Sequence, residues 1–389
     1  MPVKLAQRVA NLPPYIFAGL EKRITQMISE GHDVIRLDIG SPDQPPSPQI
    51  IESLYQSAKD PTHHGYAGFF GTPQLRKAIA DHTMRRFGVE LDPKTQVLPL
   101  IGSKEGIFNL AWAYVDPGDV VLIPDPGYPT YTSGARLAGG EIYYVPLEEK
   151  RGWLPDLDAI PAEQLGRAKI LWMNYPNNPT TATASLEFFE RALAFARKND
   201  VLLIHDNPYA EVCFDGYVAP SLLQVPGAKQ YAVEFNSLSK SHNMGGWRVG
   251  MATGNAEAIG ALSRLKTNID SGIFRAVQDA ATEALNGDQK WLSERNEVYA
   301  TRRDIVLKAL PEAGMSADKP KSTIYVWARI PAGFTSADFA NQLLDKADVS
   351  ITPGTAFGQH GEGYVRISLG QKTERIKEAM KRVKNFRQS

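Results

Sequence analysis

Between residues 100 and 255 the chain repeatedly alternates short apolar runs with helical patterns, and this alternation limits the fold more than any other feature. The runs Val120–Ile123, Glu141–Val145, Ile170–Asn174, Val201–His205, Ala232–Asn236 and Val249–Thr253 are strand-sized. Helical patterns at Lys104–Tyr114, Leu186–Lys198 and Ala256–Asn268 separate several of them. Strands that are apolar along their whole length are buried on both faces. Placed between helices, they predict a mostly parallel sheet with helices on either side and ligands at the carboxyl ends of the strands.

Outside this block the pattern changes. An amphipathic stretch over Phe17–Glu30 and the Pro-rich run Ser41–Pro48 precede helical patterns at Pro48–Lys59 and Thr72–Phe87. The last third holds a long polar helical pattern near Lys290–Leu310, strands at Ile324–Arg329, Val349–Thr352 and Tyr364–Leu369, and a closing helix at Thr373–Phe386. The expectation is an α/β protein with a large domain over residues 46–290 and a smaller α+β domain built from residues 1–45 and 291–389. A length of 389 residues accommodates two such cores.

Lys+Arg and Asp+Glu balance at 43 each, so no basic footprint for nucleic acid or an anionic membrane is indicated. The longest apolar runs are far too short to span a bilayer. Met1 to Pro14 carries no apolar core of a signal peptide, and the single cysteine, Cys213, forms no intramolecular disulfide. A cytoplasmic protein is expected, with Cys213 as a packed core thiol.

Four segments carry chemistry, and each follows a predicted strand or opens a helix. The first is Ser237-Leu-Ser239-Lys240-Ser-His-Asn-Met-Gly-Gly-Trp-Arg248. A lysine among small hydroxyl and glycine residues just after a buried strand is placed to meet a planar ligand. The hydroxyls of Ser237 and Ser239 and the guanidinium of Arg248 can bind a phosphate dianion. Beside those groups the Lys240 amine has a lowered pKa and can form a Schiff base. On this segment alone, a surface loop with a chance lysine is the competing explanation. In the second segment, Val201–Tyr209, Asp206 ends an apolar strand and needs a cationic partner, for which a protonated pyridine nitrogen is suited. The third, Asn174-Tyr-Pro-Asn-Asn178-Pro-Thr180, contains an Asn-Pro turn that fixes the Asn178 amide. The fourth, Gly102-Ser103-Lys104-Glu-Gly106, opens a helix whose free N–H groups suit a phosphate.

Together, in this order, these segments resemble the fold-type I, class I/II aminotransferases over essentially the whole chain. The resemblance implies the aspartate-aminotransferase-like fold, with a mostly parallel seven-stranded sheet, and pyridoxal 5′-phosphate as cofactor. It implies that Lys240 holds the cofactor covalently and moves the substrate proton, and that Asp206 pairs with the ring nitrogen. Tyr209 and Asn178 would bond the ring oxygen, and Tyr128, in Asp125-Pro-Gly-Tyr128-Pro, would stack on the ring. Ser103, Lys104, Ser237, Ser239 and Arg248 would hold the phosphate. Arg366, in Tyr364-Val-Arg366-Ile-Ser368, would grip the substrate α-carboxylate, with Gly40 and Tyr15 beside it. Tyr66, in His64-Gly-Tyr66, would reach the phosphate of the other subunit, so a homodimer with shared active sites is implied.

One departure stands out: Thr181 occupies the position where the family carries glycine after Asn-Pro-Thr, and a β-branched residue there favours a different backbone angle. His63-His64 and His205-Asp206 lack further ligands at usable spacing, so no metal is expected. Trp112 and Tyr114 read as core residues, and Glu187–Lys198 as a solvated helix face. The implied reaction exchanges an amino group between an amino acid and a 2-oxo acid such as 2-oxoglutarate. The segments around Ser103 and Asp270 resemble the branch of LL-diaminopimelate, aspartate and alanine aminotransferases, with LL-diaminopimelate the lead substrate. A β-lyase on the same fold is the alternative enzyme. A cofactor-binding regulator is disfavoured, because only about 40 residues precede the Gly40 segment and they carry no basic stripe.

Overall fold

The computed structural model of the chain describes residues 3–13 and 16–388, and it contains three sheets. A short strand β1 (Ile35–Arg36) precedes the seven strands of the largest sheet. These are β2 (Val97–Leu100), β3 (Val120–Asp125), β4 (Glu141–Pro146), β5 (Ala168–Met173), β6 (Leu202–Asp206), β7 (Ala232–Ser237) and β8 (Gly250–Gly254), in the spatial order β2-β8-β7-β6-β5-β3-β4. All neighbours are parallel except β8, which runs antiparallel to both β2 and β7.

Alternate residues of these strands feed two apolar layers. On one face Leu122, Leu171 and Leu203 pack with the helices Pro73–Phe87, Leu186–Lys198 and Arg275–Asn286. On the other, Ile123, Trp172, Ile204 and Phe235 pack with the helices Ser103–Tyr114, Pro129–Ala138 and Ala256–Lys266. Burial on both faces explains why the inner strands read as continuous apolar runs, whereas β4, at the sheet edge, is largely exposed or half-buried. Several helices start where a side chain satisfies the first free N–H groups: Ser185 Oγ accepts from Phe188 N at 3.3 Å and Asn255 Oδ1 from Ala258 N at 2.7 Å.

β2 is the strand that the apolar pattern leaves out, because Pro99 interrupts it; at the sheet edge, with β8 as its one partner, a proline is tolerated. The helix Pro129–Ala138 is also absent from the sequence reading. Its Thr, Ser and Gly residues form helices poorly, and burial of Tyr131 and Ala135 overrides them. Trp112 corrects an expectation: it is 46% exposed on the outer side of its helix, while Tyr114 packs part-buried against the core.

A separate apolar cluster surrounds a three-stranded antiparallel sheet made of β9 (Tyr325–Arg329), β11 (Thr352–Pro353) and β12 (Tyr364–Ser368). The run expected as one strand over Val349–Thr352 divides in two. Its first part, β10 (Val349–Ser350), pairs parallel with β1, and β11 pairs with β12. The chain changes partner at Ile351, which uniform apolarity cannot signal. No helix among the described residues is long and apolar enough to cross a membrane.

Candidate active site

The carboxyl ends of β3, β5, β6 and β7 open into a cavity of about 430 Å³. Gly40, Ser103, Lys104, Tyr128, Asn178, Asp206, Tyr209, Ser237, Ser239, Lys240, Arg248 and Arg366 all line it. Tyr66 does not: it is 92% exposed on the same chain's surface. Tyr15 lies outside the described residues.

Asp206 is the last residue of β6 and is buried. Its Oδ2 accepts the Tyr131 hydroxyl at 2.6 Å, whereas its buried Oδ1 has no donor. Burial pushes the carboxyl up to about 6, and the Tyr131 hydrogen bond and His205 pull against that rise. A buried carboxylate oxygen with no donor is complementary to a cationic N–H brought by a ligand. The Asp206 carbonyl accepts Asn174 Nδ2 at 2.7 Å, and Asn174 Oδ1 accepts the Asn178 N–H at 2.7 Å. The Asn-Pro loop is thereby fastened to the strand that carries the carboxylate.

Lys240 lies in a one-turn helix, Leu238–Ser241, directly after β7, with Ser237 Oγ capping it by accepting from Ser239 N at 3.3 Å. Its Nζ donates to the Gly40 carbonyl. Burial lowers the amine pKa; the Arg366 and Arg248 charges add to this and Tyr325 opposes it. A lysine in that setting loses its proton more readily, so more of it is present as the free amine that can act as nucleophile or proton acceptor.

Ser103 begins the helix Ser103–Tyr114 behind Gly102, whose φ of 75° suits glycine. A Cβ at Gly102 would collide with the Arg248 guanidinium, and one at Gly250 with the Ser103 N–H, so two glycines let the cationic side chain and the helix start converge. Lys104 is lowered by burial and by the neighbouring Arg248 charge. Arg248 holds a left-handed backbone, φ 57°, and its Nη1 donates to the Gly245 carbonyl at 2.9 Å. Cations beside free N–H groups at a helix start make an anion site suited to phosphate.

Arg366, on β12, is buried between the rings of Tyr325 and Phe357, with its guanidinium carbon 4.2 Å and 4.7 Å from their centroids. Nη1 donates to Asn178 Oδ1 at 2.8 Å, Nη2 to the Asp38 carbonyl at 3.0 Å, and Nε is buried with no acceptor. Such a group is complementary to a carboxylate. Gly40 has no side chain because a Cβ would strike the Tyr325 hydroxyl, which in turn accepts from the Tyr209 hydroxyl at 3.1 Å.

Tyr131, Asn174 and Tyr325 belong to the site although the sequence reading gave them no part in it. Tyr131 follows Tyr128 by three residues on a helix that begins at the cavity, and that spacing is its signal. Asn174 follows the end of β5 and lines the cavity. Tyr325 has none, since it sits in an apolar strand that reads as core. Thr181 departs from expectation: its φ is 61°, so the turn keeps the left-handed backbone that glycine favours. His205 is engaged by Glu234 Oε2 at 2.8 Å and the Tyr175 carbonyl at 2.8 Å. Cys213 is part-buried against the core, and burial raises its thiol pKa.

The sequence pattern of aminotransferase class I and II matches residues 32–383. Over 385 residues, covering 99% of both chains, the protein is 50% identical to an LL-diaminopimelate aminotransferase of Dehalococcoides mccartyi. The substrate-bound BacF structure from Bacillus subtilis superposes with a TM-score of 0.95 at 37% identity, covering 99% of this chain and 98% of that one. A Thermus thermophilus aspartate aminotransferase superposes with a TM-score of 0.92 at 28% identity, covering 99% and 100%. This chain therefore belongs to the class I and II aminotransferase family and has the aspartate-aminotransferase-like fold. It is an enzyme that transfers amino groups and uses pyridoxal 5′-phosphate. The donor-less Asp206 oxygen, the buried Lys240 amine and the cationic helix start fit that cofactor's ring nitrogen, aldehyde and phosphate.

Proposed function

We propose that the enzyme moves an amino group between LL-diaminopimelate and 2-oxoglutarate. The observation that carries this substrate choice is the half-identity, along the whole chain, to an enzyme of that name. Aspartate and alanine are the next donors. When bound, pyridoxal phosphate supplies an aldehyde for the amino group and a ring that draws off the electron pair released at the substrate Cα. Lys240 holds the cofactor and carries the proton to and from Cα, a role supported by its burial and lowered pKa. Asp206 keeps the ring nitrogen protonated, and Tyr131 fixes the carboxylate by donating to its other oxygen. Asn178 and Tyr209 would hold the cofactor's ring oxygen, and Tyr128 would hold its ring. Ser103, Lys104, Ser237, Ser239 and Arg248 hold the phosphate. Arg366 binds the α-carboxylate of amino acid and oxo acid alike beside Gly40.

The same proposal includes a cytoplasmic homodimer with shared sites. Its support is Tyr66, exposed together with Phe69, Phe70, Ile269 and Phe274, an apolar surface suited to a second copy. It also divides the chain into residues 46–290 and residues 1–45 with 291–389, supported by the separate apolar clusters. A panel of amino donors assayed with 2-oxoglutarate tests the substrate: LL-diaminopimelate is expected to give the highest kcat/KM, and a higher value for aspartate or alanine overturns the choice. Borohydride reduction and peptide mapping are expected to place the pyridoxyl group on Lys240, and a label on another lysine overturns its role.

A further inference from the structure

Three charged groups on the cavity wall remain without a part in holding the cofactor or the reacting end of the substrate: Glu21, Arg36 and Asp38. Arg36 donates from Nε and Nη2 to the two oxygens of Asp38, both at 2.8 Å, and from Nη2 to Glu21 Oε2 at 2.7 Å. Nη1 enters none of these bonds. Asp38 is buried, with 4% of its side chain exposed, Arg36 is 14% exposed, and Glu21 is 60% exposed. The line therefore runs from the interior outward along the cavity wall. Asp38 also ties it to the α-carboxylate site, because its backbone carbonyl accepts from Arg366 Nη2 at 3.0 Å. Two guanidinium groups thus hang on one residue, Arg366 on its carbonyl and Arg36 on its carboxylate.

A substrate with one charged end uses only Arg366. We propose that Glu21 and Arg36 form a second substrate subsite that reads the far amino-carboxylate end of a diamino dicarboxylic acid. Nη1 of Arg36 meets the far carboxylate, and the Glu21 carboxylate meets the far ammonium. Two carboxylates share one guanidinium here, so the cluster carries surplus negative charge that favours a substrate bearing an extra cation. The hydrogen bond and charge of Arg36 lower the Glu21 pKa against the opposing effect of burial, which keeps the group ionised at neutral pH. The assignment rests on the LL-diaminopimelate reading. Its competitor is a structural clasp, in which Arg36 merely ties the helix Ile16–Ser29, which carries Glu21, to the segment after β1.

Two donors separate these roles, because L-2-aminopimelate matches LL-diaminopimelate in length and far carboxylate but lacks the far ammonium. In the holoenzyme, Glu21→Gln is expected to lower kcat/KM for LL-diaminopimelate about tenfold, the size of a water-screened charged hydrogen bond. The value for L-2-aminopimelate is expected to stay within about twofold, since no bond to the far end is lost. Calorimetric titration of the enzyme loaded with pyridoxamine phosphate, which cannot accept an amino group, is expected to show the same weakening for LL-diaminopimelate alone. Arg36→Gln is expected to weaken both diacids. Equal losses on both diacids in Glu21→Gln, or no loss on either, overturn the subsite. Wild-type turnover of L-glutamate without turnover of LL-diaminopimelate is a different failure: it overturns the substrate reading and removes the occupant of the subsite.

Discussion

Replacing Arg366 with lysine tests the substrate pocket without removing its charge. The guanidinium satisfies Asn178 Oδ1 and the Asp38 carbonyl through two different nitrogens and keeps Nε for a further acceptor. It does so as a flat group between the Tyr325 and Phe357 rings. A lysine ammonium is a compact point charge, so it cannot reproduce a planar fork or fill the slot between two rings. The loss of one arm of a charged, paired contact costs about 1.5–3 kcal/mol, or roughly a 10- to 150-fold weaker carboxylate. Leaving Asn178 Oδ1 without its donor adds to the cost rather than offsetting it. Arg366→Lys is therefore expected to raise KM for amino acids and oxo acids together. Pyridoxal phosphate affinity is expected to change little, since the proposed ring and phosphate contacts come from the large sheet and its loops. The assay is steady-state kinetics with donor and acceptor varied in turn, alongside a cofactor titration of the apoenzyme. Release of the cofactor with KM unchanged would refute the assignment and make Arg366 a structural residue.

Other substitutions probe other parts of the site. Asp206→Asn keeps an acceptor for the Tyr131 hydroxyl but loses the charge, and turnover is expected to fall at least about 100-fold, corresponding to about 3 kcal/mol, with the cofactor retained. Near-normal turnover in the purified variant contradicts that role. Thr181→Gly is expected to stabilise the fold by about 1 kcal/mol, because a left-handed backbone at a β-branched residue costs more than the chain entropy that glycine adds; unfolding by denaturant measures it, and a loss of stability refutes the strain. Burial, reinforced by nearby positive charge including Arg295, brings His242 down to about 4, below its unfolded value of 6.5. The unfolded chain takes up this proton first, so stability is lost as pH falls from 6.5 towards 4. The loss is about 2 kcal/mol between pH 6.5 and 5, and denaturant unfolding at the two pH values is expected to show it reduced in His242→Gln.

Much of the large sheet was legible because its inner strands are buried on both faces, which writes an unbroken apolar run into the sequence. β2 was hidden by Pro99, which only an edge position permits, and the division between β10 and β11 was hidden because a change of strand partner leaves no mark on composition. The residues of the cavity were legible for another reason. Asp206, Ser237 and Lys240 sit at or just past strand ends, where polar residues beside an apolar run are conspicuous. Tyr325 lies inside a strand, so nothing in its neighbours separates it from a core tyrosine. Thr181 shows the opposite limit. Its identity argued for a changed turn, yet the Asn177 carbonyl accepts its N–H at 3.0 Å and the loop holds the glycine-like angle.

The proposed carboxylate site is built from both main sheets at once. Asn178 comes from the loop after β5, while Arg366 and Tyr325 come from β12 and β9, and the Arg366–Asn178 hydrogen bond joins them. Phe357, which covers Arg366, packs in the same small cluster as Leu147 and Trp153, two residues that follow β4. Its carbonyl also accepts the Gly127 N–H at 2.8 Å, in the turn that delivers Tyr128 to the cavity. The contacts that shape this pocket are thus among those that join the two sheets. A carboxylate bound at the proposed site would draw on groups fixed from both sides, so its binding would bear on the packing between the sheets.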